Sequence, residues 1–266
     1  MKGLQDLYRP VQPTSQGEDK VLYQELNPDK RLADYIYCYW QLRTIKPLSE
    51  NYTYNVVTDG CMDIFWEVSS HHQSFVTGFT NQYTEFSLSH TFDYVGVRFL
   101  PSAFPSLFQI NASELTNKFE ALDVVVPKLA DILSQRMEGI NDLKMLKFQL
   151  DVLLLNHLKE AKLRCDPRLY HAMDLILASQ GMISIEKDLD VGISARQLRR
   201  IFQFYIGDSP KVFSNVVRFQ SLLQGKPSSQ SLHDNALYYD LGYYDQAHFI
   251  KAFKHLYGTT PTKALK

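Results

Sequence analysis

Cysteine is scarce in this 266-residue chain: Cys38, Cys61 and Cys165 are odd in number, far apart and without Cys-x-x-Cys or Cys/His spacing. Neither a disulfide framework nor a zinc site is indicated, and a reducing compartment fits best. No run approaches the roughly 18 apolar residues of a spanning helix, and the opening MKGLQDLYRP lacks the apolar region of a secretory leader. The expectation is a cytoplasmic protein with no membrane partner. Catalytic signatures are missing too. There is no nucleophile elbow, phosphate loop or paired-carboxylate pattern. His71 and His72 are consecutive and would point to opposite faces of a strand, and neither His90 nor any Glu stands at matching metal-ligand spacing. Cys165, in RCDPR, lacks the neighbouring His or Cys that alkyl transfer to a thiol would use. We therefore expect no enzyme, no metal and no cofactor.

What is present is an ordinary globular composition, 45% hydrophobic and 21% charged, enough to bury real cores. The net charge of −1 hides an asymmetry: residues 167–266 carry 12 Lys+Arg and 8 Asp+Glu, or +4, leaving 16 and 21, or −5, for residues 1–166. The first hundred residues read as short strands, with YNVVTDGCMDIFWEV alternating around an Asp59-Gly60 turn and FDYVGVRFL ending at Pro101. From about residue 105 the period becomes helical, and Leu143, Leu146, Leu150, Leu153 and His157 mark a long amphipathic helix. That helix either packs on its own domain or forms a helix-helix dimer seam. Asp166 as N-cap and Pro167 at the first helical position open a new unit. The predicted organisation is α+β: residues 1–164 an antiparallel β barrel or sandwich with a helical connector over about 105–163, and residues 165–266 an all-α domain.

The tail contains an internal duplication. DVGISARQLRRIFQFYIGDSP (190–210) and DLGYYDQAHFIKAFKHLYGTTP (240–261) share Asp, an aliphatic residue and Gly, then an amphipathic helix with a central Phe, then Gly and a Ser/Thr-Pro step. Each copy has the parts of a helix-turn-helix. A short helix, at about 184–190 and about 231–240, ends at a Gly able to turn sharply. Ser194 with Gln197, and Asp245 in the second copy, cap the helix that follows. On the first such helix, about 194–205, Arg196, Arg199, Arg200 and Gln203 share one face, opposite Leu198, Ile201 and Phe202. On the second, about 245–257, the equivalent edge is Gln246, Ala247, Ile250 and Lys251. Arg donates two hydrogen bonds to guanine, Gln reads adenine, and Ala or Ile suits a thymine methyl, so stronger readout is expected from the first helix.

GISARQLRRIF and LGYYDQAHFIKAFKHLYGTTP resemble the AraC-type (arabinose-regulator-like) transcription factors over roughly 167–266, with PKVFSNVVRFQSLL similar to the helix joining the two halves. The resemblance implies a domain that puts two recognition helices into successive major grooves of bent double-stranded DNA. It carries the contacts onto Arg196, Arg199, Arg200, Gln246, Ala247, Ile250 and Lys251. Four residues before each turn Gly that family has Ala, whereas here stand Asp188 and Tyr238; either the register shifts by one or the first helix is locally irregular. The front half is similar to an effector-like domain of some of these regulators, through LADYIYCYWQL, TDGCMDIFWEV and YVGVRFLPSAF, and the family's sensory domains are cupin-like barrels. A pocket in such a barrel would draw on Tyr37, Trp40, Trp66, Tyr94 and Arg98. Alternatively, these aromatics are core and Arg98 is a structural ion-pair partner. A small-molecule effector, a homodimer and, for an activator, RNA polymerase are the further partners implied. The competing reading is a ligand-binding or protein-interaction module that does not bind DNA.

Overall fold

The computed structural model describes residues 4–13, 20–70, 72–140, 142–161, 163, 166–225 and 237–265. His71, Cys165 and most of the leading helix expected at about 231–240 lie outside them. Among the described residues there are eight strands: β1 (Val21–Leu26), β2 (Ile36–Thr44), β3 (Tyr52–Val56), β4 (Met62–Glu67), β5 (Ser74–Thr77), β6 (Thr84–Leu88), β7 (Asp93–Phe99) and β8 (Phe119–Ala121). Six pair antiparallel in the order β1-β2-β7-β4-β5-β8, and β3 and β6 form a separate antiparallel ladder. Most helices follow β8, so the chain is α+β in the expected order. Gly60 takes the left-handed conformation that its turn requires (φ +72°). Yet β3 and β4 are not a hairpin. Asp59 accepts the Cys61 amide through its side chain, and the Val57 carbonyl and Thr58 amide bond to Gln12 and Leu256 instead. The two strands therefore part into different sheets.

The period of 2 gives the main sheet two apolar faces. Ile64, Trp66, Val95, Val97 and Phe99 face the helices, whereas Cys38, Trp40, Leu42, Phe65 and Tyr94 pack toward the β3–β6 ladder. Gly96 lies opposite Trp40 in the β2–β7 register, and a Cβ there would stand 2.5 Å from the indole ring. Only glycine lets the ring lie across the strand.

Helices α1 (Leu4–Leu7), α2 (Ala103–Phe108), α3 (Leu122–Val125), α4 (Pro127–Arg136) and α5 (Leu143–Glu160) accompany the sheet. On α5, Leu143, Leu146, Leu150 and Leu153 are buried, and His157 stacks on Phe108 at 4.7 Å with Nε2 3.1 Å from the Leu107 carbonyl. The expected apolar stripe thus packs on its own side of the chain, while Met145 and Phe148 on the outer side remain 57% and 62% exposed.

The C-terminal helices are α6 (Pro167–Ala178), α7 (Ala195–Tyr205), α8 (Pro210–Gln224), α9 (Leu237–Asp240), α10 (Gln246–Tyr257) and α11 (Pro261–Ala264). The short helix expected at 184–190 is not formed. The backbone makes turns there, with the Asp188 amide on the Ser184 carbonyl at 2.8 Å and the Asp188 carboxylate accepting the Ser184 amide at 3.3 Å. Asp188 is exposed and Leu189 buried. A regular helix would carry the Asp188 charge into the helix crossing, where desolvation is costly, so the segment is irregular.

One hydrophobic core runs from the helix-facing side of the sheet into the C-terminal region, joining Trp66 and Phe99 to Leu169, Leu198, Phe202, Phe213 and Val217. A second, smaller cluster holds Phe219, Leu222, Leu223, Tyr243, Phe249, Phe253 and Leu256 together with Val57 from the sheet region.

Candidate nucleic-acid interface

Helix α7 is set by its first turn. Gly192 has φ +74°, and nothing lies within 4 Å of where a Cβ would stand, so its role is purely conformational. The Asp190 side chain accepts the Gly192 amide at 2.9 Å. Ser194 Oγ accepts the Gln197 amide at 3.3 Å and Gln197 Oε1 accepts the Ser194 amide at 3.2 Å, a complete capping box. Leu198 and Phe202 are buried. Arg196, Arg199, Arg200 and Gln203 are all exposed, and among the described residues no ion pair engages the three guanidinium groups. The charge is neither buried nor neutralised.

Helix α10 repeats this plan with other chemistry. Asp245 caps it by accepting the His248 amide at 2.7 Å, and Gly242 (φ +72°) makes the turn before it. Phe249, Phe253 and Leu256 are buried; Gln246, Ala247, Ile250 and Lys251 are exposed. All eight side chains expected to meet DNA thus lie on free faces, four on each helix. Tyr244 stands 85% exposed beside the α10 N-terminus, and a tyrosine in a turn carries no periodic signal by which the sequence could reveal it.

Helix α8 joins the halves, spanning about 22 Å at 1.5 Å per residue. Arg218 on this helix donates from Nε and Nη2 to the Gly181 carbonyl at 3.0 and 2.7 Å, and from Nη1 to the Gly242 carbonyl at 3.3 Å. Its guanidinium lies 5.5 Å over the Tyr243 ring. One side chain therefore ties the end of the α6 region to the turn before α10. Nothing in its sequence position marks it out, since a single Arg on an amphipathic helix reads as solvated.

Residues 190–266 match the family model of a helix-turn-helix domain. The C-terminal part of the chain, including both capped helices, is therefore similar to helix-turn-helix domains. Residues 24–120 match the model of a domain of unknown function (DUF6597). No curated protein matches the chain. Two solved structures of ToxT from Vibrio cholerae are similar to it. One is 13% identical with a TM-score of 0.42, covering 93% of this chain and 98% of that one. The other, an apo variant, is 11% identical with a TM-score of 0.39, covering 92% and 96%.

In the β region the five residues expected to line a pocket do not converge. Trp40, Tyr94 and Arg98 lie on the face toward the β3–β6 ladder, with Tyr37 at the irregular start of β2 beside them, but Trp66 lies on the opposite face in the helix-side core. The period of 2 puts Trp66 on the side away from Phe65, and no pocket on one face can use both. Arg98 is buried and ion-paired. Its Nη2 is 3.0 Å from Asp63 Oδ2 and its Nε 3.5 Å from Asp59 Oδ2, with Glu25 at 3.9 Å from Nη1. Trp40 Nε1 donates to Asp63 Oδ2 at 2.9 Å. Burial raises the Asp63 pKa to about 6, opposed by Arg98 and reinforced by Asp59. Burial also pushes the Tyr37 hydroxyl up to about 12. Asp59 and Asp63 give no warning in the sequence, because partners contributed by separate strands share no spacing. Among the described residues Arg98 Nη1 has no hydrogen-bond partner, and no group of three or more His, Cys, Asp or Glu is placed to hold a metal ion. No helix among them is long and apolar enough to cross a membrane.

Proposed function

We propose that this chain binds specific DNA sequences by inserting α7 and α10 into successive major grooves, with residues 165–266 as the DNA-binding unit and residues 1–164 as its regulatory unit. The observation that carries this reading is the sorting of both capped helices: apolar residues pinned inward, and every candidate reading residue outward and unpaired. Arg196, Arg199 and Arg200 supply guanine or phosphate contacts. Gln246 with Ala247 and Ile250 reads an adenine- or thymine-bearing segment, and Lys251 meets phosphate. Random-site selection with the purified full chain tests this: wild type should return a motif about two helical turns long, and Arg196→Ala should relax preference at one position, worth about 1–3 kcal/mol. Failure to enrich any motif would overturn the reading. A protein-interaction module would instead show no steep fall of log affinity with log salt.

The regulatory part of the proposal has two components. The Met145 and Phe148 pair on the outer side of α5 supports a homodimer contact through that helix, and Phe148→Glu should then shift the chain to monomer in sedimentation. The Arg98 environment, with Trp40, Tyr94 and Tyr37 nearby, supports a small-molecule effector bound on the ladder-facing side of the sheet. Thermal shifts against a small-molecule panel test it, and a response unchanged by Trp40→Phe would remove it. RNA polymerase would be a partner only in activation.

A further inference from the structure

Both recognition helices end on a left-handed glycine at the same place in the repeat, Gly207 (φ +111°) and Gly258 (φ +95°). Each of these glycines is a docking point for the sheet region. At the first, Thr116 Oγ1 donates to the Gly207 carbonyl at 2.6 Å and Asn81 Nδ2 donates to Asp208 Oδ2 at 3.0 Å. A Cβ on Gly207 would stand 2.8 Å from Thr116 Oγ1 and 3.0 Å from Phe79 Cβ. At the second, the Tyr83 amide donates to the His255 carbonyl at 3.1 Å and the Thr58 amide to the Leu256 carbonyl at 3.3 Å, satisfying carbonyls that a helix end leaves open. A Cβ on Gly258 would stand 2.8 Å from the Tyr83 ring.

Phe79, Asn81 and Tyr83 belong to one short loop between β5 and β6, so a single segment touches the ends of both recognition helices. Between those ends Asn81 reaches a cavity of about 230 Å³ bordered by Asn215 of α8 and by His248 and His255 of α10. The loop is itself held from behind. The Gly78 amide bonds to the Lys118 carbonyl at 3.0 Å, the Asn117 amide to the Phe79 carbonyl at 2.9 Å, and the Asn81 amide to the Asn117 side chain at 3.0 Å. A Cβ on Gly78 would lie 1.9 Å from the Leu115 carbonyl oxygen, so the backbones are in close contact. The second helix-turn-helix half has only a small core of its own, and that core includes Val57 from the sheet region.

We propose that the Phe79–Tyr83 loop is a spacer that fixes the separation and phase of the two recognition helices, making Asn81 and Tyr83 positioning residues for the spacing between the two DNA subsites. The proposal rests on the DNA-binding reading above. Adding one base pair between subsites moves them about 3.4 Å apart and, at about 10.5 base pairs per turn, rotates one by about 34°. A braced pair of helices cannot follow that change, whereas a pair held by α8 alone can adjust.

The test takes the duplex best bound by wild type in random-site selection and variants with one base pair inserted or deleted between the subsites. Wild type should lose at least about tenfold in affinity on either change. The full-length Asn81→Ala/Tyr83→Ala variant should bind the parental duplex more weakly and discriminate among the three spacings by less than about threefold. Tyr83→Phe, which keeps the ring against Gly258, should restore the wild-type ranking. If the double variant does not fold, Asn81→Ala with Thr116→Val, which removes the two side-chain contacts at the first helix end, should flatten the ranking in the same way. A loop variant that folds and keeps the full spacing penalty overturns the proposal and leaves DNA binding standing. So does a wild type indifferent to spacing. A wild type that retains no duplex overturns both.

Discussion

Phe202 and Phe253 occupy the same place in the two copies of the repeat, and both are completely buried. Their surroundings differ. Phe202 packs on Phe213 at 6.0 Å inside the large core that contains Trp66 and the helix-facing side of the sheet, whereas Phe253 belongs to the smaller cluster built around Phe219 and Phe249. Truncating either to Ala removes a buried ring and leaves a cavity, a loss of about 3–5 kcal/mol. For a chain of this size each kcal/mol lowers Tm by about 2–4 °C, so the expected shift is about 6–20 °C. The two tryptophans, Trp40 and Trp66, both lie in the sheet. Intrinsic fluorescence therefore reports the sheet, and far-ultraviolet circular dichroism weights the helices. Phe202→Ala should lower both midpoints together, because the ring it deletes is continuous with the packing of Trp66. Phe253→Ala should produce an early helical transition while moving the fluorescence midpoint less than half as far. A Phe202→Ala variant whose fluorescence midpoint stays at the wild-type value would refute the claim that the sheet and α7 melt as one unit.

Replacing Arg199 and Arg200 with Ala should flatten the dependence of log affinity on log salt by about 0.9 for each phosphate contact removed, measured by fluorescence anisotropy; an unchanged slope would place both on bases or in solvent. Asp63 is an acid whose pKa is raised in the folded chain from 3.8 to about 6 by burial, so folding favours its protonated form. Its contribution to stability is present below about pH 4 and is lost as pH rises through about 6. Asp63→Asn should therefore remove a downward slope in urea midpoints between those values, and an identical slope in wild type and variant would assign it to other groups. Gly192→Ala meets no neighbour and should cost only the left-handed backbone penalty of about 1–2 kcal/mol, while Gly207→Ala adds collision with Thr116 and Phe79 and should lower the urea midpoint further. Equal midpoints would show that the docking at Gly207 yields without cost.

The sequence is most informative where local chemistry decides the backbone. Ser194 and Asp245 cap the helices they are expected to cap, Gly192, Gly207, Gly242 and Gly258 all have positive φ, and Pro210 opens α8. These are decisions made within four or five residues, and a repeat doubles the signal. Burial of Leu198 and Phe202, against exposure of Arg196, Arg199 and Arg200, follows from a period of 3.6 alone. Pairings between distant segments are not legible. Nothing local says that β3 leaves the turn to pair with β6, or that Asp63 and Asp59 close on Arg98. Residue type groups Trp66 with Trp40, although strand alternation separates them once the register is known. Asp188 shows the intermediate case: its charge announces that a regular helix there would be strained, but not that the segment abandons helix for turns.

Positions that match between the two copies of the repeat are those whose backbone or burial is dictated: turn glycines, central phenylalanines and the prolines that follow. Positions that differ are the outward ones, where Arg196, Arg199 and Arg200 correspond to Ala247, Ile250 and Lys251. A scaffold used twice with unlike edges is not two-fold symmetric in what it reads, so under the proposed function one chain alone would recognise two different subsites in a fixed order. The guanidinium edge would lie on a guanine-bearing subsite and the Gln246–Ile250 edge on one bearing adenine and thymine. Each chain would therefore bind its site in one orientation only. Tethered cleavage from a reagent attached at an exposed position beside α10 should cut on one side of the selected motif; equal cutting on both sides by a monomer would mean that the edges do not discriminate.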